Sequence, residues 1–240
     1  MSSENFVVYV LVGDPAIREM IEAAATRGGL SPIVLGSAGE YLRKPESGLP
    51  ACLILGMQLP DMSGADLQQR LANIGPAIIF VSDRVDIGHS VRAIKAGAVD
   101  YLTTPVDPAG LARAVHDAIE VDRFRRAERA RLAELVRRYR LLTAREREVF
   151  PLLTAGLLNK QVASRMGISL ITVQIHRGRI MQKMEARTFA ELVRFADALG
   201  ISGEWTANAQ RDWQRDGVLN GANIRGVRSP RVHAAESASS

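Results

Sequence analysis

The chain has 240 residues, of which 47% are hydrophobic, and its formal net charge is +5. This composition suits one or two globular domains, and no apolar run approaches the roughly 18 residues that would span a membrane. The N-terminus lacks the pattern of a secretory signal and the single cysteine, Cys52, excludes an intrachain disulfide, so we expect a cytoplasmic protein with no membrane partner.

The charge is unevenly distributed along the chain. Residues 1–117 contain 9 Lys and Arg against 13 Asp and Glu, whereas residues 118–142 contain 8 against 4 and residues 143–200 contain 9 against 5. An acidic first half followed by a basic second half indicates a regulatory module joined to a nucleic-acid-binding module. The alternative is that the basic helices are only solvated surfaces.

Five apolar, β-branched runs predict five strands in the first half, at residues 7–12, 31–35, 52–55, 77–81 and 99–102. Amphipathic stretches at residues 16–27, 65–73 and 85–96 lie between them and predict helices. Strands that alternate with helices indicate a parallel sheet covered on both faces. We therefore predict a flavodoxin-like, doubly wound α/β domain over residues 1–119, with a five-stranded parallel sheet and a closing helix at residues 108–117.

A charged helical segment follows at residues 120–141 and is predicted to be a linker. Leu132, Leu135, Tyr139 and Leu142 follow a 3-4-3 spacing that could form a short helix-packing seam between two copies. The alternative is a solvated linker helix.

Residues 142–200 predict a second, all-α domain of four helices. Thr143 is expected to cap the first helix with Glu146 in a capping box, Asn159 to cap the second, and Ser169 to cap the third at residues 170–184. The short turn at Gly167 makes the second and third helices a helix-turn-helix. The tail, residues 201–240, has no helical period and is expected to be disordered, although Trp205 and Trp213 could pin its first part to the globular body.

The first half resembles the receiver domain of two-component response regulators over residues 6–120. The resemblance rests on the segments Met57-Gln-Leu-Pro-Asp-Met-Ser-Gly64 and Lys95-Ala-Gly-Ala-Val-Asp-Tyr-Leu102, and on Thr104-Pro105. In that family an aspartate accepts a phosphoryl group, next to a metal-binding acidic pair, a switch Ser or Thr and a lysine. The resemblance places the acceptor on Gly56 and the other four positions on substituted residues: Val12, Gly13, Val81 and Thr104.

Phosphoryl transfer to aspartate requires a carboxylate nucleophile and a Mg²⁺ ion held by further oxygen ligands. We therefore expect a pseudo-receiver that neither accepts phosphate nor binds metal. Asp14 and Ser82 lie one residue beyond lost positions, and a shift of one residue along a strand turns a side chain to the opposite face. Asp61 lies five residues beyond the acceptor position and belongs to the ordinary loop pattern of the family. None of the three is therefore expected to restore the chemistry.

Two interpretations of the altered pocket remain open. It is either a degenerate site in a dimerisation scaffold, or a less polar cleft that takes an unknown protein or small-molecule input. Tyr101 falls at the position of the family's aromatic switch residue, which reports the state of the pocket.

The second half resembles the LuxR-type DNA-binding domain, through Thr172-Val-Gln-Ile-His-Arg177 and Met181-Gln-Lys-Met184. On the third helix Val173, Ile180 and Met184 are expected to pack inward. The opposite face would enter the major groove with Ile171, Gln174, Ile175, Gly178 and Gln182. There Gln174 could pair with adenine and Ile175 could touch a thymine methyl group. The flanking residues are expected to contact phosphates: Lys160, Thr172, His176, Arg177, Arg179 and Lys183. For His176 the alternative is a boundary residue bonded to a neighbouring backbone group.

These features predict a FixJ/NarL-type transcription regulator that binds promoter DNA as a homodimer, independently of phosphorylation. In this family the final helix, here residues 188–199, often contributes to dimerisation. The alternative is an adaptor that pairs with other regulators or a kinase and does not bind DNA. No catalytic residue or cofactor is expected, because the sequence shows no nucleophile–base or metal constellation. No metal site is expected either, because His89, His116, His176 and His233 have no ligand spacing.

Overall fold

The computed structural model describes residues 6–45, 47–72, 74–84 and 86–201. It divides into two compact units, with the boundary between Ala130 and Arg131. The predicted tail beyond residue 201, with Trp205 and Trp213, lies outside the described residues. Within the described ranges no helix is both long and apolar enough to cross a membrane.

The first unit contains a parallel five-stranded sheet in the order β2-β1-β3-β4-β5. The strands are β1 (Val7–Leu11), β2 (Pro32–Val34), β3 (Ala51–Gly56), β4 (Ala77–Ser82) and β5 (Asp100–Thr103). The helices are α1 (Pro15–Arg27), α2 (Ala38–Arg43), α3 (Gly64–Leu71), α4 (Ile87–Lys95) and α5 (Pro108–Arg140). The predicted flavodoxin-like fold is confirmed, and α2 is a short helix that the apolar pattern did not predict.

The sheet is buried on both faces because alternate side chains of each strand enter different cores. One core contains Val10, Val12 and Ile54 together with apolar residues of α1 and α5. The other contains Leu11, Leu53 and residues of α2, α3 and α4. All six residues of the central strand β3 are buried, as expected for a strand covered on both sides.

The predicted closing helix and the predicted linker helix form one continuous helix, α5, of 33 residues. The carboxylate of Asp122, which is fully buried, accepts a hydrogen bond from the backbone N–H of Ala51 at 2.8 Å and from Nε of Arg126 at 2.6 Å. Nη2 of Arg129 lies 3.8 Å from its second oxygen. The helix therefore stays attached to the amino end of β3 well beyond the predicted boundary at residue 119.

The second unit contains the four predicted helices, α6 (Ala144–Thr154), α7 (Asn159–Met166), α8 (Leu170–Lys183) and α9 (Phe189–Ala198). The capping box at Thr143 and the cap at Ser169 are confirmed by their hydrogen bonds. The predicted cap at Asn159 is wrong, because Asn159 is the first residue of α7. The cap position belongs to Leu158, whose N–H donates to the side chain of Gln161 at 2.8 Å.

Candidate nucleic-acid interface and receiver edge

The receiver edge lies at the carboxyl ends of β1 and β3, and an apolar side chain, that of Val12, lies beside Gly56 there. Gly56 is the last residue of β3, and a Cβ atom added to it would lie 3.2 Å from Cα and 3.3 Å from Cγ1 of Val12. The side chain of Val12 is buried in the core. Valine thus occupies the space beside the position where the family resemblance expects an acceptor carboxylate.

Gly13 is constrained in a similar way. A Cβ atom at Gly13 would lie 2.5 Å from the carbonyl oxygen of Gln58, which is closer than carbon and oxygen can approach without a shift of the backbone. A carboxylate at this position would require the loop after β3 to move.

Both neighbouring carboxylates cap helices. Oδ1 of Asp14 accepts hydrogen bonds from the N–H groups of Ala16 and Ile17 at the start of α1, at 2.8 and 3.1 Å. The carboxylate of Asp61 accepts from the N–H groups of Ala38 and Gly39 at the start of α2, at 3.0 and 2.8 Å. The hydrogen bond from Gly39, followed in size of effect by that from Ala38, holds the pKa of Asp61 below its usual range. Backbone donors thus already bind Oδ1 of Asp14 and both oxygens of Asp61.

The end of β4 carries a serine beside the predicted switch position. Val81 was expected at the switch position, but it is a buried core residue, whereas Ser82 is the last residue of the strand and pairs with Thr103. Oγ of Ser82 accepts from the N–H of Arg84 at 3.2 Å, and the N–H of Thr104 donates to the Ser82 carbonyl at 2.9 Å. The strand therefore ends in a hydroxyl-bearing residue, Ser82, one residue beyond the predicted switch position Val81.

Two further features complete the edge. Thr104 follows β5 and is half-buried, and its peptide bond to Pro105 is cis. The ring of Tyr101 stacks on that of Phe80, with the centroids 6.3 Å apart. Among the described residues no group of three or more His, Cys, Asp or Glu side chains is placed to hold a metal ion.

The second candidate site is the helix-turn-helix formed by α7 and α8. Gly167 closes α7 with φ of 65°, a left-handed conformation that favours glycine. Val173 and Ile180 of α8 are fully buried, so the opposite side of the helix faces outward. The resulting outer face contains the five predicted residues, all of them exposed: Ile171, Gln174, Ile175, Gly178 and Gln182.

The predicted phosphate contacts divide into two groups. Lys160 on α7 and Arg179 on α8 are exposed. Lys183 is not available in the same way, because its Nζ donates to Oε2 of Glu146 at 2.6 Å. In the free protein Lys183 is thus an ion-pair partner of Glu146, and its contact with phosphate stays a prediction.

Glu146 is only 2% exposed and also accepts a hydrogen bond from the N–H of Thr143 at 2.8 Å. Burial by itself would raise the pKa of Glu146, but the bonds from Lys183 and Thr143 outweigh burial and hold the pKa below its usual range. No local sequence pattern connects residues 37 positions apart, so this pair could not be predicted.

Arg177, Thr172 and His176 are half-buried on α8. The guanidinium group of Arg177 lies 4.2 Å from the ring centroid of Phe189, a cation–π distance, and its Nη1 is 3.5 Å from Oδ1 of Asn159. The hydroxyl of Thr172 lies 2.8 Å from that of Ser169. Within the described chain Nδ1 of His176 is buried without a hydrogen-bond partner, so it does not make the alternative backbone contact.

Two protein-family models match the chain. The model described as "Response regulator receiver domain" matches residues 9–116, and the model described as "Bacterial regulatory proteins, luxR family" matches residues 140–196. The two matches cover the receiver edge and the helix-turn-helix.

Characterised relatives match most of the chain. Nodulation protein W of Bradyrhizobium diazoefficiens is 40% identical over 211 residues, which cover 87% of this chain and 93% of that protein. Response regulator protein TodT of Pseudomonas putida strain F1 is 37% identical over 206 residues, which cover 85% and 91%. Among solved structures, the response regulator StyR superposes with a TM-score of 0.63 at 34% identity, covering 80% of this chain and 98% of that one.

Proposed function

The chain belongs to the FixJ-like response regulators, in which a receiver domain is joined to a LuxR-type DNA-binding domain, and from this premise we propose that it regulates transcription without phosphorylation. Members of this family are transcription regulators that bind DNA through the LuxR-type domain. What is specific to this chain is the proposed loss of phosphoryl chemistry in the receiver.

The contact between Val12 and Gly56 carries the proposal. A nucleophilic carboxylate and its Mg²⁺ ligands need a polar pocket with several oxygen atoms. Here an apolar side chain lies against the acceptor position, Gly13 leaves no room for a side chain, and Asp14 and Asp61 already accept backbone hydrogen bonds. The hydroxyls of Ser82 and Thr104 remain at the edge, but hydroxyls alone supply neither the nucleophile nor the metal.

The proposal is tested by incubating the full chain with acetyl phosphate and Mg²⁺. We expect no increase of mass in intact-protein mass spectrometry and no change in DNA affinity. A receiver that retains its aspartate, treated in parallel, is the positive control. A phosphorylated species, or DNA binding that tightens several-fold, would contradict the proposal.

We therefore propose that a signal other than phosphorylation acts on the receiver. A receiver controls its output by shifting a conformational equilibrium, and without phosphorylation that equilibrium is either fixed or moved by another ligand. An unknown protein or small molecule at the altered edge, or a receiver kept as a dimerisation scaffold, fits this requirement. We place the protein in the cytoplasm, where promoter DNA is accessible, and propose that it binds two half-sites as a homodimer.

The second candidate is the adaptor, which would pair with other regulators or a kinase. One observation favours it: α4 exposes Ile87, Val91 and Ile94 on one face, at the spacing of successive helical turns. Exposed apolar residues in such an arrangement are typical of protein contacts. A genome-wide pull-down with the full chain distinguishes the two candidates, because an adaptor would enrich no DNA and would recover a protein partner instead.

A further inference from the structure

The outer face of α8 has no charge along its centre. Ile171 is 68% exposed and Ile175 is 49% exposed, and they lie four residues apart, one above the other on the helix. Between and beside them lie two amides and a glycine, Gln174, Gln182 and Gly178. Two neighbouring isoleucines facing water indicate a partner that offers apolar groups at the same spacing.

We propose that Ile171 and Ile175 read thymine methyl groups in the major groove, a deepening that rests on the proposed DNA binding. Of the groups that base pairs present in that groove, the C5-methyl of thymine is the apolar one. Four helical residues advance about 6 Å, which is close to two base-pair steps of about 3.4 Å. The half-site accordingly carries thymines within about two steps of each other.

The amides and the glycine support the same assignment. Gln174 and Gln182 can donate to and accept from adenine, the partner of thymine in the pair. A Cβ atom at Gly178 would meet nothing within 4 Å, so the fold of the domain does not require glycine there. The absence of a side chain instead allows α8 to approach the bases closely.

The nearest cations do not favour guanine. Guanine is read mainly by Arg or Lys side chains that reach its O6 and N7 atoms. Arg177 lies on the ring of Phe189, and Lys183 donates to Glu146, so both cations already have partners within the domain. Arg179 is exposed, but it flanks the face from the side on which Thr172 and Lys183 lie.

The first experiment is DNA selection with the full chain, followed by replacement of each thymine in the selected half-site by uracil. Uracil lacks only the methyl group. We expect two positions at which this replacement weakens binding about fourfold each, the value for one buried methyl group. Thymines elsewhere in the site serve as internal controls.

The second experiment combines the DNA change with a change in the protein. I171A and I175A should each weaken binding to the thymine site and cause no further loss on the matching uracil site. L141A, which truncates a 55% exposed leucine outside the recognition helix, should leave both affinities unchanged. Circular dichroism checks that the variants stay folded, which is expected because alanine favours helices.

The outcomes separate the two levels of the proposal. If no DNA is enriched, the proposed DNA binding itself fails. If DNA is enriched but thymine and uracil sites bind equally, or the protein and DNA changes simply add, the methyl readout is overturned while DNA binding stands.

Discussion

At the scale of single residues, the receiver edge differs from the pattern of the family through packing as well as through the replaced charged residues. Val12 contributes to the core on the same side of the sheet to which Gly56 would direct a side chain. Restoring one aspartate would therefore place a charged group against valine and without a metal. Several neighbouring positions would have to change together to build the polar, metal-binding pocket of the family at this edge.

The variant G56D should remain unphosphorylated by acetyl phosphate and should lose stability. The added side chain has to displace Val12, and its carboxylate enters an apolar site, so we expect a loss on the order of 1–3 kcal/mol in the free energy of unfolding. Urea denaturation measures this loss. G56A adds the Cβ atom without the charge, so the difference between the two variants isolates the charge, and a phosphorylated G56D protein would disprove the packing argument.

The variant K183A should destabilise the second unit, because it leaves the buried carboxylate of Glu146 without its cation. The expected loss is about 1–3 kcal/mol, measured by urea denaturation at neutral pH. R179A removes an exposed cation from the same helix and should change stability by less than about 0.5 kcal/mol, while weakening DNA binding. If K183A and R179A are equally stable, the pair with Glu146 does not stabilise the fold and Lys183 is free to contact phosphate.

The same pair makes a prediction about pH. The folded-state pKa of Glu146 lies below the unfolded one, so its contribution to stability is complete above the ordinary glutamate pKa and is lost as the pH falls through the folded value. Between neutral pH and strong acid the wild type should therefore lose more stability than K183A does. Parallel curves for the two proteins would mean that the pair does not stabilise the fold.

At the scale of elements, sequence pattern predicted strands and helices well and predicted their ends poorly. The strands were predictable because each is a short apolar run between loops. Helix α5 was divided in two because its charged second part looked like a linker. The bond from Ala51 to Asp122 that holds it is a tertiary contact between residues 71 positions apart. Asn159 was mistaken for a cap because Leu158, which holds that position, has no capping side chain.

The candidate site shows the same division. The outer face of α8 follows from helical periodicity alone, and all five of its residues are exposed as expected. The roles of Lys183 and Arg177 depend on Glu146 and Phe189, which belong to other helices. Position on a helix can be read from a sequence, whereas the partner of a long flexible side chain is decided by tertiary packing.

The variant D122A should weaken the attachment of α5 to β3. It removes the acceptor of the Ala51 N–H and leaves Arg126 without its carboxylate, for an expected loss of about 2–4 kcal/mol. D117A changes an exposed carboxylate on the same helix and is the matched control. Hydrogen exchange should be faster in D122A at residues 118–130 and at the start of β3, and unchanged exchange there would show that the buried carboxylate does not hold the helix.

At the scale of the whole molecule, the chain combines an acidic first half with a basic second half, yet few of its cations are free at the recognition helix. Affinity for DNA should therefore depend on salt only modestly. K160A and R179A should each lower the slope of log affinity against log salt by about one. R113A, which removes an exposed cation from the first unit, should leave that slope unchanged. A slope that falls equally in all three variants would indicate non-specific attraction instead.

The loop after β3 explains why the receiver is recognisable at all. Asp61 caps α2, and a Cβ atom at Gly64 would collide with the carbonyl oxygen of Gly56, so both residues are required by the shape of the loop. Both residues belong to the segment, residues 57–64, that carries the resemblance to the receiver family. A sequence match to this segment therefore reflects the shape of the loop and does not depend on the residue at position 56. If the proposed loss of phosphorylation holds, a survey that counts phosphorylated receivers from this segment would include this chain, and the residues at positions 12 and 56 are the ones to inspect.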